Sequence, residues 1–306
     1  MITVNNLSGL RWLRFSASFF LVIFMFAACD KVSEPYRTKI ITENTDTVAC
    51  PVPEFINVTT YVKRVLLEDY TGHTCVNCPR AAVIARDLKE EHGDQVILMA
   101  VHAGDFAKPF ASGNYTHDFR TPAGTEWDNY FGIGAVGNPN GMVNRRKTEG
   151  TYVISPSDWG GAVNSMLEEE ALLDIQVIND FTAGEKKLCT HIKTQFRQAI
   201  NKNLKLIIAI TEDSIVAPQK NNDPGVGTTP EILDYIHMHV LRGTLTTTWG
   251  VAIAATGSVY PESVIKSYRF EFDPKWIAVN CNVVAFVYDA DTHEVLQAAE
   301  AKVIRN

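Results

Sequence analysis

Apolar and polar residues fall into three regimes along the chain. The first is one early run, Phe19-Phe20-Leu21-Val22-Ile23-Phe24-Met25-Phe26, with no polar residue in it. It is too short and too close to the start for a spanning helix. Between about 60 and 170, strand and helix periods alternate. Val62 to Tyr70 is rich in β-formers, is bounded by Gly72, and predicts a central strand. From Arg80 to His92, Ala81, Ile84, Ala85 and Leu88 recur three and four residues apart and Gly93 supplies a stop, which predicts a helix. Val96 to His102 is almost continuously apolar, the signature of a second strand buried on both faces. Gly141-Met142-Val143-Asn144-Arg145 and Thr151-Tyr152-Val153-Ile154 pattern as a hairpin. Ser155-Pro156-Ser157-Asp158 then opens a helix whose apolar face is Trp159, Ala162, Val163, Met166 and Leu167.

The third regime starts near 171 and alternates with period two. Its strand-like segments are Leu173 to Val177, Leu188 to Phe196, Leu204 to Thr211, Tyr235 to Leu245, Val264 to Phe272, Cys281 to Tyr288 and Val295 to Val303. With no long helix between them, they predict an antiparallel β-sandwich of immunoglobulin-like size. The longest connection, Ser214 to Pro230, holds three prolines and two glycines and reads as a surface loop and binding element.

Composition narrows the class. A chain of 306 residues, 46% hydrophobic and 21% charged, is not disordered or low-complexity, and its length suits two domains. A net charge of -7 lacks the basic excess that a nucleic-acid partner requires. Arg11 and Arg14 precede the early apolar run, and Phe26-Ala27-Ala28-Cys29 follows from it. That order resembles a bacterial lipobox, with Phe26 where Leu is usual. It makes residues 1–28 a signal peptide and Cys29 the acylated first residue, where several palmitate-like chains would hold the protein to a bilayer. Residues 29–60, with scattered charges and Pro35, Pro51 and Pro53, read as a polar tether.

The chemistry-bearing motif is His73-Thr74-Cys75-Val76-Asn77-Cys78-Pro79, lying between the first predicted strand and the first helix. Strand, C-x-x-C, helix, strand is the thioredoxin order. A cysteine at a helix start meets free N–H groups and the positive end of the helix dipole, which stabilise its thiolate. A second cysteine one turn on can resolve a mixed disulfide. Asp69 stands six residues before Cys75, the offset of the buried thioredoxin acid that relays a proton to the second cysteine. Tyr130 to Val143 is similar to the thioredoxin segment that carries a cis-proline, here Pro139. The strand alternation sends Glu68 and Asp69 to opposite faces, so one of the two is expected to be buried and the other not. Residues 62–169 thus resemble the thioredoxin-like superfamily. Two departures stand out: Thr74 replaces the usual Trp, and Val76-Asn77 separates the cysteines. Residues 103–131 read as an inserted lid or binding loop.

A metal reading of His73, Cys75, Cys78 and His102 is disfavoured, because no further ligand pair has metal-site spacing. His237-x-His239 reads as an exposed strand face rather than a metal pair, and no cofactor motif is present. Cys50, Cys189 and Cys281 remain, an odd number. A Cys189–Cys281 bridge is disfavoured because Cys189 shares its strand face with His191, Lys193 and Gln195.

The mature chain resembles the outer-membrane lipoprotein family of Bacteroidetes named for a twenty-eight-kilodalton outer-membrane protein. The resemblance rests on Leu66 to Pro79, Asn138-Pro139-Asn140-Gly141, His239-Val240-Leu241-Arg242 and Asn280 to Tyr288. It implies an α/β thioredoxin-like domain over 61–170 joined to a β-sandwich over 171–306, on a lipid anchor in the outer membrane. It implies no settled activity. Two functions follow from the residues. One is thiol–disulfide exchange on envelope proteins, with Cys75 attacking, Cys78 resolving, Asp69 relaying the proton and Pro139 shaping the groove. The other is surface binding or adhesion, with Cys75–Cys78 an inert clip. The expected partners are a membrane and an envelope or surface protein.

Overall fold

The computed structural model describes residues 50–256 and 262–304. The signal peptide, Cys29 and the first part of the tether lie outside them. The two chain regimes share one sheet. Strands β1 (Val65–Thr71), β2 (Val96–His102) and β3 (Asn140–Val143) come from the first. From the second come β4 (Leu173–Thr182), β5 (Lys187–Phe196), β6 (Leu204–Glu212), β7 (Val240–Thr244), β8 (Val251–Ala254), β9 (Ser263–Glu271), β10 (Cys281–Asp289) and β11 (Val295–Lys302). The main sheet has eight strands in the order β11-β10-β6-β7-β2-β1-β3, with β8 also on β6. Strand β2 lies parallel to both β1 and β7, and Val240 pairs with Ala100 across the second junction. A strand from the far half of the chain therefore supplies the edge that the first half lacks.

The sheet curls until its ends meet. Val295 N–H donates to Asn144 O at 2.8 Å, and Lys63 Nζ donates to Leu296 O at 3.1 Å. Inside the curl, Leu66, Tyr70, Met99, Ala209, Val284 and Phe286 form one core. On the outer face of β1 and β2, Leu67 and Leu98 meet Ala81, Ala85 and Leu88 of α1 (Cys78–His92) and Trp159 and Val163 of α3 (Trp159–Leu167). Farther along that outer face, the three-stranded sheet β9-β5-β4 packs Ile175, Leu188 and Ile192 against Ile208, Val283 and Ala285. Each burial follows the period read from the sequence, because alternate residues of β6 and β10 feed opposite cores.

Helix α1 starts with Pro79 in its first turn and ends at Gly93, whose φ of 57° is a left-handed conformation suited to glycine. The stretch 103–131 is not only a loop. Thr121 Oγ1 accepts from Gly124 N–H at 2.9 Å and caps α2 (Pro122–Phe131), which buries Ala123, Trp127 and Phe131 at four-residue spacing.

Residues 50–58, at the end of the stretch read as a tether, run across the three-stranded sheet. Cys50 is disulfide-bonded to Cys189. Lys193 Nζ donates to Ile56 O at 3.1 Å, and Gln195 Nε2 donates to Val58 O at 2.9 Å. The polar face of β5 is thus buried under chain. Cys281, which is not bonded to Cys189, is a buried thiol whose pKa is pushed up to about 12, mainly by burial.

Candidate functional site

Strand β1 delivers the loop 72–77 to the start of α1. Cys75 and Cys78 form a disulfide with Cα atoms 5.4 Å apart. Gly72 is required by close approach, since a Cβ there would sit 2.4 Å from the carbonyl carbon of Phe106. Cys75 N–H donates to Gly72 O at 2.9 Å and closes the turn. Pro79 has no N–H to leave unpaired, and the Asn77 side chain makes no capping bond at the start of α1.

The loop is held from two sides. On one, Thr74 donates to Phe106 O from its backbone N–H at 3.1 Å and from Oγ1 at 2.9 Å. Thr74 thus ties the cysteine loop to residue 106 through both its backbone and its hydroxyl. On the other side runs the segment 219–222, part of the stretch expected to be a surface loop. Lys220 N–H donates to His73 O at 2.8 Å, and Asn222 N–H donates to Val76 O at 3.1 Å. Gln219 Nε2 donates to Cys75 O at 2.9 Å, and Asn222 Nδ2 donates to Asn77 Oδ1 at 2.7 Å. The result is a strap laid along the cysteine loop, and it leaves Cys75 and Cys78 each only 2% exposed. The sequence marked this stretch as a loop but gave no sign of what it covers.

Asp69 points from β1 toward α1. It is buried, its Oδ1 has no hydrogen-bond partner, and desolvation raises its pKa to about 7. Glu68 points into the curl, and the expectation that one of this pair would be exposed is overturned, because both faces of β1 are covered. Arg145 donates to the two Glu68 carboxylate oxygens at 2.8 and 2.7 Å, and both side chains are fully buried. The Arg145 guanidinium also lies over the rings of Trp127, Phe286 and Phe131, at 4.6, 4.9 and 5.2 Å. The Asn138–Pro139 peptide is cis. It immediately precedes β3, whose Asn140 and Gly141 pair with Tyr70 and Asp69, so Pro139 sits at the end of β1 from which the cysteine loop leaves.

Between α1, the outer face of β1 and β2, and the segment 226–239 lies a cavity of about 750 Å³ that Asp69, Cys78, His102 and His237 help to line. His237 is 4% exposed, contrary to the exposed strand face read for His237-x-His239. Burial lowers the pKa of both rings, well below the ordinary histidine value for His102 and to about 4 for His237. Both are therefore neutral at physiological pH.

Comparison with known proteins gives a family match over residues 125–306, to the family described as outer membrane protein Omp28. No curated protein sequence matches the chain. Among solved structures, the chain is similar to HBP35 of Porphyromonas gingivalis at 18% identity and a TM-score of 0.57, covering 80% of this chain and 76% of that one. A protein from Agrobacterium tumefaciens matches at 12% identity and a TM-score of 0.49, over 81% of this chain and 98% of that one. A domain of the outer membrane lipoprotein Omp28 from Porphyromonas gingivalis matches at 20% identity and a TM-score of 0.30, over 44% of this chain and 90% of that one.

Proposed function

The chain belongs to the outer membrane protein Omp28 family, a family of outer-membrane lipoproteins, and on that premise we propose that it is a lipid-anchored thiol–disulfide exchange protein of the cell envelope. In this reading Cys29 carries the anchor, residues 61–170 are the thioredoxin-like part and residues 171–306 the immunoglobulin-like part. Once a dithiol donor has reduced the Cys75–Cys78 disulfide, the thiolate of Cys75 attacks a substrate disulfide and forms a mixed disulfide, expelling one substrate thiolate. The Asp69 carboxylate takes the proton of Cys78. Cys78 then attacks Cys75 Sγ, closes the Cys75–Cys78 bond and releases the second substrate thiolate. Two electrons pass from the pair to the substrate. Pro139 borders the groove at the cysteine end of the sheet.

The observation that supports this most is the placement of Asp69. A buried acid with a pKa of about 7, its Oδ1 without a partner, lines the same cavity as Cys78, so it can hold or give up one proton at neutral pH. A second reading, a surface-binding lipoprotein with an inert clip, is favoured by the near-complete burial of Cys75.

The strap separates the two readings. Gln219→Ala combined with Asn222→Ala removes the side-chain bonds to Cys75 O and Asn77 Oδ1. If exchange is the function, Cys78→Ala traps envelope proteins as mixed disulfides through Cys75. Adding the strap substitutions then raises the trapping rate at least about ten-fold, the equivalent of two hydrogen bonds at about 0.7 kcal/mol each. A measured potential below about -300 mV with no trapping in either variant establishes the clip. The anchor has its own check. Cys29→Ser should move the protein from the membrane pellet to the soluble envelope or medium, and an unchanged pellet fraction would remove the lipid from the proposal.

A further inference from the structure

The cavity beside α1 carries more chemistry than thiol exchange uses, because His102 and His237 join Asp69 there. Asp69, His102 and His237 come from β1, β2 and the segment before β7, and they are 6%, 3% and 4% exposed. All three line the cavity, and each has an atom without a partner: Oδ1 of Asp69, both ring nitrogens of His102 and Nε2 of His237. A buried polar atom left unpaired costs roughly 1–3 kcal/mol. Three such side chains converging on one space mark where a hydrogen-bonding group belongs. The remaining walls are mainly apolar, with Leu67 and Leu98 on the sheet side and Ala82 and Val83 on α1. At the mouth, Ile236 and Met238 are 55% and 43% exposed, an apolar lip facing water. The volume lies within the usual range for small-molecule sites.

We propose that this cavity binds an uncharged, hydroxyl-headed single-chain lipid, with the hydroxyl among Asp69, His102 and His237 and the chain leaving past Ile236 and Met238. A hydroxyl both donates and accepts, so it serves a carboxylate oxygen and a neutral imidazole together. Among the described residues that line the cavity, an anionic head finds no free cation. Arg86 at the mouth already donates to Asp87 at 3.1 and 2.7 Å and pairs with Glu90 at 3.5 Å, and Asp234 adds a further acid there. A cationic head would meet only Asp69 at the inner end and would be desolvated there without a second acid.

The test uses the full-length protein in phosphatidylcholine vesicles, with radiolabelled 1-octanol as the probe and bare vesicles of the same lipid as the baseline. The expected result is saturable binding above baseline at one octanol per chain, with octanoate and octylammonium each at least ten-fold weaker. Ala100→Phe fills the cavity floor and should lower octanol affinity at least ten-fold. Ile236→Asp, at an exposed position that leaves the core intact, should lower it several-fold. The proposal is overturned by an absence of saturable excess, by equal binding of the charged probes, or by unchanged binding in Ile236→Asp. Binding is read with Cys75–Cys78 oxidised and no thiol present, so its failure leaves the exchange reading standing, and the failure of exchange leaves the lipid site standing.

Discussion

An Arg145→Ala chain is expected to lose about 3–5 kcal/mol of folding stability, the largest single-site effect anticipated in this protein. Arg145 and Glu68 are both fully buried, and their charges are compensated by their paired hydrogen bonds and by the aromatic rings under the guanidinium. Removing the guanidinium leaves a carboxylate in an apolar enclosure and opens a space against Trp127, Phe131 and Phe286. Urea unfolding followed by tryptophan fluorescence measures the loss, because Trp127 lies against the site. Arg145→Met together with Glu68→Leu removes both charges and keeps most of the volume, so it should recover most of the stability. If the single variant unfolds at the wild-type urea midpoint, the pair is not enclosed as described.

The second large effect depends on pH. The folded chain keeps the Asp69 proton up to about pH 7, whereas an unfolded aspartate loses it near pH 3.9. Across that window the native state binds the extra proton, so stability falls as pH rises from about 4 to about 7 and is flat in this term beyond it. The shift corresponds to about 4 kcal/mol at pH 8. Asp69→Asn removes the charge that must be buried, so the variant should match the wild type near pH 4 and exceed it by up to that amount at pH 8. Parallel stability curves for the two proteins from pH 4 to pH 8 would show that Asp69 is solvated. In exchange kinetics the same variant should slow the resolving step through Cys78 more than the attack by Cys75.

The strand segments and helices α1 and α3 were legible because their periods are strong and their ends carry glycine, proline or a capping serine. Helix α2 was legible in principle. Thr121-Pro122 is a helix opening, and Ala123, Trp127 and Phe131 share a face, but Gly124 and the surrounding polar residues hid the pattern. Other features were not legible because period tells which face a residue occupies and not what covers it. Glu68 and Asp69 alternate as expected, yet both are enclosed, Glu68 by the curl of the sheet and Asp69 by α1 and the segment 226–239. The polar face of β5 misled in the same way. His191, Lys193 and Gln195 suggested solvent, but they are buried, and Lys193 and Gln195 are polar because they bind the backbone of residues 56–58. That cover also places Cys50 against Cys189, a pairing with no local signal. At the candidate site, Asp69, Cys75, Cys78 and Pro139 could be named from spacing. Gln219 and Asn222 could not, and His102 and His237 stood out only as disfavoured metal ligands, because their roles depend on long-range packing.

The pairing of Val240 with Ala100 sets an order of events for a chain that is threaded out of the cytoplasm from its N-terminus. Strand β2 emerges early, with a row of unpaired amides and carbonyls on the side that β7 will occupy, and its eventual neighbour is among the later parts to follow. During that interval the nascent protein offers an open edge that any extended polypeptide can join, its own twin included. The cysteine loop at the end of β1 is likewise bare until the strap follows, so oxidation of Cys75 and Cys78 has a natural window before the molecule closes over them.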